Sequence, residues 1–154
     1  MELPETISEA VTPLFTALPI EDAMRRLTGG SPHHVELVEQ ALKHPALSGR
    51  PELAAGLWLY VDDLDRSHTL SQSITDVTGS FWHGIMHRRE GDFSNSHYWM
   101  RRAANHPLLA SGSGLDPNGL IDAVAAAKED DPALVALQRA EWQTLFEWCA
   151  RTGA

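Results

Sequence analysis

Apolar side chains recur at intervals of three and four residues along most of the chain, the spacing of one face of an α-helix. The clearest stripe follows Pro51 and comprises Leu53, Leu57, Val61 and Leu64, with His68 next in the series. Segments that alternate apolar and polar residues over the length of a strand are not found, and no Asn-Gly pair lies between two such segments. The pattern predicts an all-α protein, a single irregular bundle of about six to seven helices.

Proline, glycine and small polar residues divide this pattern into elements. Two short helices are expected between Pro4 and Leu27, with a break around Pro13 to Pro19. Ser31 and Pro32 then resemble the cap and first position of a further helix, and the pairs Asp116-Pro117 and Asp131-Pro132 begin the last two. Residues 1–154 are expected to form a single helical domain, in which residues 1–30 are an arm that packs on the body or on a partner subunit.

Residues 80–107 hold four of the eight histidines and two of the five tryptophans of the chain. If residues 80–90 are helical, two faces separate, because positions i, i+4 and i+7 point in nearly the same direction. One face carries His83, His87 and Glu90, and the opposite face carries Trp82, Ile85, Met86 and Arg89. We expect the second face to pack on a core and the first to face a cleft or the surface.

Two imidazoles one helical turn apart, with a carboxylate one turn further on, can chelate a divalent metal. His83, His87 and Glu90 are therefore candidate metal ligands. The glutamate that metalloproteases carry between two such histidines is absent here, since Gly84, Ile85 and Met86 occupy the interval. The alternatives are a solvated His/Glu face and a buried hydrogen-bonded network.

A wider set of polar residues is predicted to surround this helix. His68, at the end of the stripe that follows Pro51, and His97, on the next helix, are expected to join His83, His87 and Glu90 around one cavity. Arg88 or Arg101 would hold negative charge on a small ligand, and Asp92, which follows the helix stop at Gly91, completes the candidate binding set. Arg89 projects into the apolar face and is expected to be buried against a carboxylate. Asp62, Asp63 and Asp65 are either a solvated face or the source of that partner, and the sequence does not decide between them.

The string Trp82-His83, His87 to Asp92, Asn95, Tyr98-Trp99 and Arg102 has the form WHxxxHRREGDxxNxxYWxxR. It resembles a signature of helical proteins from bacteria and fungi to which no activity is assigned. The resemblance covers about a fifth of the chain closely. It implies a helical fold and, by itself, no particular chemistry.

Composition narrows the function classes. The net charge of −9 disfavours binding to nucleic acid or to an anionic membrane, and no stretch approaches the length of a membrane span. The N-terminal residues lack the basic and apolar regions of a secretory signal, so a cytoplasmic location is expected. A single cysteine, Cys149, allows no intrachain disulfide and is interpreted as a small core residue.

Two classes of function remain open. In the first, the protein is a binding or structural module, and the His/Arg/Glu cluster is a polar network that fixes how helices meet. In the second, it is an enzyme or metal-binding protein that acts on a small polar or anionic molecule, with His83, His87 and Glu90 as ligands or acid-base groups. A divalent metal is the candidate cofactor, a small molecule is the candidate ligand, and a homo-oligomer is compatible with either class.

Overall fold

The computed structural model describes residues 1–153, and within them the regular structure is helical, with no strand. The helices are α1 (Glu5–Ala17), α2 (Val35–Leu42), α3 (Pro51–Tyr60), α4 (Leu64–Ser73), α5 (Val77–Glu90), α6 (Phe93–Arg102), α7 (Pro107–Ala110), α8 (Pro117–Ala126) and α9 (Pro132–Thr152). Two short 3-10 turns, Ile20–Asp22 and Pro45–Leu47, complete the regular structure of this part of the chain. The all-α prediction is confirmed, and the described chain has more helices than expected because one predicted helix is divided and the four-residue α7 was assigned to a loop.

α5 is the central helix, and it packs against α3, α4 and α6. Every residue from Thr78 to Arg89 is buried, so both faces of the helix are covered. The apolar face contacts the core as predicted, but the histidine face lies between helices instead of facing solvent. A glycine makes one of these contacts close, because a Cβ on Gly84 would lie 2.9 Å from Sδ of Met100 on α6.

The predicted helix from Pro51 to His68 is interrupted, and this prediction was wrong. Asp62 has a left-handed backbone, with φ of 62°, which ends the run of α3. Asp63 then caps α4, since its Oδ1 accepts a hydrogen bond from the backbone N–H of Arg66 at 3.1 Å. His68 therefore lies on a separate helix that folds back beside α5.

The N-terminal residues pack on the body of the described chain. Ile7, Val11 and Leu14 on α1 are buried in the main core, and the carbonyl of Leu18 accepts a hydrogen bond from the Tyr60 hydroxyl. α1 continues through Pro13, contrary to the predicted break. Proline in a helix interior removes one backbone hydrogen bond and crowds the preceding turn. Here burial of Ile7, Val11 and Leu14 offsets that cost, and the helix continues to Ala17.

Two further boundaries bear on function. α2 begins at Val35, later than the predicted start at Ser31 and Pro32, because His34 has a left-handed φ of 53°. Residues 28–34 are consequently an irregular loop. At the other end of the chain, burial raises the pKa of the Cys149 thiol to about 12, which fits a core residue and no nucleophile. No helix in the described chain has the length and apolar character needed to cross a membrane.

Candidate metal centre

Three imidazoles converge where α4 packs against α5. His83 and His87 lie one turn apart on α5, and His68 reaches them from α4. The ring centroids are 4.8 Å apart for His68 and His83, 5.3 Å for His68 and His87, and 4.8 Å for His83 and His87. One nitrogen of each ring lies within 4.8 Å of a nitrogen of the other two. The structure thus brings together three of the four histidines expected around one site, and Glu90 joins them through a contact with His87.

This spacing is close to that of a three-histidine metal site. Around a tetrahedral ion with bonds of roughly 2.0–2.1 Å, imidazole nitrogens are about 3.3 Å apart and ring centroids about 5 Å apart. The observed centroid distances already agree with that arrangement. The ligand nitrogens, which lie within 4.8 Å of one another, would have to approach to about 3.3 Å to hold an ion.

Glu90 binds a histidine of the cluster instead of completing it. Its Oε1 lies 2.6 Å from Nδ1 of His87, and the carboxylate is substantially exposed. Because an ionised carboxylate can only accept a hydrogen bond, Nδ1 of His87 carries a proton, and in the neutral tautomer of that ring Nε2 is the nitrogen with a lone pair. Carboxylates commonly hold metal-binding histidines in this way. The predicted trio of His83, His87 and Glu90 is therefore rearranged, with His68 in the position expected for Glu90.

A second set of donor atoms shares one histidine with the first. His87, Glu90 and Asp92 also offer ligand atoms within 4.8 Å of one another. However, Asp92 caps α6, where its carboxylate accepts hydrogen bonds from the backbone and side-chain nitrogens of Asn95. These bonds hold the pKa of Asp92 below its ordinary value. The three-histidine set is the better candidate, because His68 and His83 have no such competing bonds.

Trp99 covers one side of the cluster. Its ring stacks on that of His83 with centroids 3.8 Å apart and planes inclined by 12°. The guanidinium of Arg102 lies 5.3 Å from the centroid of the Trp99 ring on the solvent side. The sequence provided no separate reason to place Trp99 here, although it belongs to the signature string.

His83 is neutral at physiological pH. Its side chain is only 3% exposed, and its Nδ1 is buried without a hydrogen-bond partner among the described residues. Burial lowers its pKa to about 4, with smaller contributions from the positive charges that His87 and His68 acquire on protonation. An imidazole must be neutral to bind a metal, so this environment keeps His83 in the required form.

The two arginines expected to hold a ligand lie elsewhere. Arg88 is fully buried, and its Nη1 donates to Oε1 of Glu141 at 2.6 Å. It therefore fixes α9 against α5 and is inaccessible to a ligand. Arg101 is exposed in the last turn of α6, at the edge of an apolar cleft that includes Leu109 and Leu115. Among residues 1–153, neither arginine side chain forms a hydrogen bond or an ion pair with the three imidazoles.

His97 also lies apart from the cluster. Its Nδ1 is 2.8 Å from the side-chain oxygen of Asn118, and its Nε2 is 2.8 Å from Oδ1 of Asp122. Both partners belong to α8, so His97 connects α6 to α8. The expectation that it would approach His83 and His87 was wrong.

The prediction for Arg89 is confirmed. It is fully buried, its Nη2 pairs with Oδ1 of Asp62 at 2.5 Å, and its Nη1 donates to the carbonyl of Leu59 at 3.3 Å. Burial lowers the pKa of the guanidinium from its ordinary value, while the charge of Asp62 opposes that shift. The pair holds the break between α3 and α4 against the end of α5.

The residues of the signature string thus form the junction of α5 and α6 and the cover of the histidine cluster. Comparisons of the chain with protein-family models, curated proteins and solved structures found no significant match.

Proposed function

We propose that the protein binds a divalent transition-metal ion through His68, His83 and His87, with Glu90 holding the ring of His87. The convergence of three largely buried imidazoles at separations of 4.8–5.3 Å supports this proposal most directly. Imidazole nitrogen is a suitable ligand for zinc, copper, iron and nickel, and three ligands of this type favour zinc.

The cluster has the features of a site that keeps a coordination position free. Structural zinc sites usually have four protein ligands, whereas catalytic sites have three and a water molecule. A metal ion held by three imidazoles would lower the pKa of a bound water and supply a nucleophile or a Lewis acid. Glu90 is partly exposed and pairs with Nδ1 of His87, so it would link the ring of that ligand to solvent.

Titration of the purified protein with zinc in a calorimeter tests the proposal. We expect one site per chain, and loss of at least about 100-fold in affinity in His68→Ala or His87→Ala, since each removes one ligand. Glu90→Gln should weaken binding by about 10–100-fold, because the ring of His87 loses its carboxylate partner. His97→Ala is the matched control, as it removes an imidazole outside the cluster.

The same variants separate the two donor sets. If His68→Ala leaves zinc affinity unchanged while Asp92→Asn abolishes it, the ion is held by His87, Glu90 and Asp92 instead. If none of the variants differs from the unmodified chain, or if no site is detected, the metal-binding proposal is wrong.

A second candidate is a structural role without metal, in a binding module of unidentified partner. The observation that favours it is the position of the cluster, where α4, α5 and α6 meet and where Trp99 stacks on His83. A stack of two aromatic rings at such a junction helps to fix how the helices pack. This function predicts that His87→Ala lowers the stability of metal-free protein, with no zinc-dependent difference from the unmodified chain.

A further inference from the structure

A polar cleft lies beside Asp62, at the break between α3 and α4. It has a volume of about 320 Å³, and its walls include Arg25, Arg26, Ser31, His33 and Asp62. The loop that forms one wall is tied down at two points: the N–H of Gly29 donates to the carbonyl of Arg89 at 2.7 Å, and that of His33 donates to the carbonyl of Val61 at 3.1 Å. This volume is within the range of small-molecule sites.

A chain of hydrogen bonds runs along the wall of this cleft. Nδ1 of His34 lies 2.7 Å from Nδ1 of His33, and Nε2 of His33 lies 3.1 Å from Oδ2 of Asp62. The other oxygen of Asp62 binds the buried Arg89. Since the carboxylate accepts, Nε2 of His33 carries a proton, and a neutral His33 then accepts at Nδ1 from His34. Both ring nitrogens of His33 are thus engaged, and the ring is held in one orientation.

The backbone at this cleft is strained. In the described chain, the non-glycine residues with left-handed backbone are Met24, His34 and Asp62, with φ of 50°, 53° and 62°. Met24 and Asp62 line the cleft, and His34 binds a residue that lines it. Each such residue costs about 1–3 kcal/mol, and such positions cluster at functional sites. Concentration of all three around one cleft indicates that the fold maintains its shape against this cost.

Glycine is required in the same wall. Gly30 has φ of 103°, and a Cβ at this position would lie 3.2 Å from Cγ of Asp62. A side chain here would therefore strain the backbone and push against the carboxylate. The loop thus lies close against Asp62 in the wall of the cleft.

The charges that line the cleft leave one cation without a partner. Arg25 pairs with Asp22 at 2.9 Å, and Asp62 pairs with Arg89. Among residues 1–153, no ion pair includes Arg26. In a chain of net charge −9, an unpaired arginine beside a polar cleft is a local centre of positive potential. Its guanidinium can donate two parallel hydrogen bonds to a carboxylate or a phosphate.

We propose that this cleft binds a small molecule with one carboxylate or phosphate group, which pairs with Arg26 beside the fixed ring of His33 and the hydroxyl of Ser31. The site is distinct from the histidine cluster on α4 and α5 and does not depend on a metal. Inorganic phosphate and acetate represent the two anionic groups, and each is expected to bind in the millimolar range or tighter.

The test uses the full chain in the presence of a metal chelator, so that the histidine cluster cannot bind the anion through an ion. Proton–carbon correlation spectra of the histidine rings are recorded during titration with phosphate or acetate, and the signals of His33 and His34 are assigned by substitution. We expect these signals to shift and saturate with at least one anion. Arg26→Gln should weaken the binding by at least about tenfold, the effect of one charge-assisted hydrogen bond. Lys128→Gln, which removes the same charge from an exposed position outside the cleft, should leave it unchanged.

Each outcome decides the matter. Saturation with phosphate alone or with acetate alone, lost in Arg26→Gln, supports the site and identifies its anionic group. Shifts that rise linearly without saturation overturn the proposal, as do shifts of equal affinity in Arg26→Gln and in the unmodified chain. Arg26 is exposed, so its substitution leaves the fold intact and the comparison valid.

Discussion

Neutralising Glu141 should be among the most damaging conservative substitutions in this protein. Its carboxylate is the charged partner of Arg88, whose side chain has no exposed area, and the Glu141 side chain itself is 3% exposed. Among residues 1–153, the only other acceptor for this guanidinium is the amide oxygen of Gln138 at 3.4 Å. Nε of Arg88 has no hydrogen-bond partner among the described residues. Glu141→Gln therefore leaves a positive charge in the core without a counter-charge.

The expected cost of this change is about 3–5 kcal/mol, the usual penalty for breaking a buried pair from one side. With a dependence on urea of about 1–3 kcal/mol per molar for a chain of this size, the unfolding midpoint should fall by about 2 M. The measurement is urea unfolding at pH 7, followed by far-ultraviolet circular dichroism, with the unmodified chain as reference.

The matched control removes both charges. Arg88→Met combined with Glu141→Leu replaces the pair by apolar side chains, and its stability should lie within about 1–2 kcal/mol of the unmodified protein or exceed it. A loss below about 1 kcal/mol in Glu141→Gln would refute the reasoning, as would a double variant as unstable as the single one. The first result would mean that water reaches Arg88, whereas the second would mean that apolar side chains cannot replace the pair in this part of the core.

Three further outcomes are expected. Asp62→Asn should destabilise the protein more than Arg89→Met, because only the first leaves a buried charge unpaired. Urea unfolding of both variants checks this order, and equal, negligible effects would place Arg89 in solvent. Gly79→Ala should lower the free energy of unfolding by about 2 kcal/mol or more in the same measurement, because a Cβ would lie 2.1 Å from the carbonyl oxygen of Ile74. A variant of normal stability would contradict this packing. In metal-free protein, His83 has its pKa at about 4 when folded and at the ordinary 6.5 when unfolded. The unfolded state therefore binds the extra proton, and about 3 kcal/mol of unfolding free energy is lost as pH falls from 6.5 to 4. The pH dependence of unfolding should be shallower in His83→Gln than in the unmodified chain. Identical pH dependences in the two proteins would mean that His83 does not titrate in this range.

Local signals made the helix boundaries of the second half predictable. Asp92, Asp116 and Asp131 each cap a helix through a side-chain oxygen that accepts a backbone N–H, as expected from their positions before a helical pattern. Gly91 ends α5 with φ of 87°, which also follows from its residue type. These features depend only on near neighbours in the chain, and so a single sequence suffices to predict them.

Which residues belong to the histidine cluster depends on contacts between helices, and the helical periodicity of the sequence does not predict these contacts. The Ser96 hydroxyl donates to the carbonyl of Gly84 at 2.6 Å, and Met100 packs on the same glycine. These contacts turn the face of α6 that carries Ser96 and Met100 toward α5. Trp99, three residues after Ser96, then reaches His83. His97, the residue after Ser96, points about 100° away from Ser96 and meets α8. The rotation of α6 therefore decides which of its polar residues belongs to the cluster.

His68 was correctly predicted to join the cluster, but the continuous helix on which that prediction rested is broken at Asp62. The stripe that placed His68 near the core assumed a continuous helix, but the left-handed backbone at Asp62 ends α3 and starts a new direction for the chain. Its carboxylate binds Arg89 on α5, and this pair holds the start of α4 close to the end of α5. His68, five residues into α4, then faces His83 and His87 across the contact between the two helices. The other oxygen of the same carboxylate contacts Nε2 of His33 in the wall of the cleft proposed to bind an anion. One residue thus positions parts of both candidate sites, so Asp62→Asn should change zinc affinity as well as anion binding, whereas Arg26→Gln should change anion binding alone.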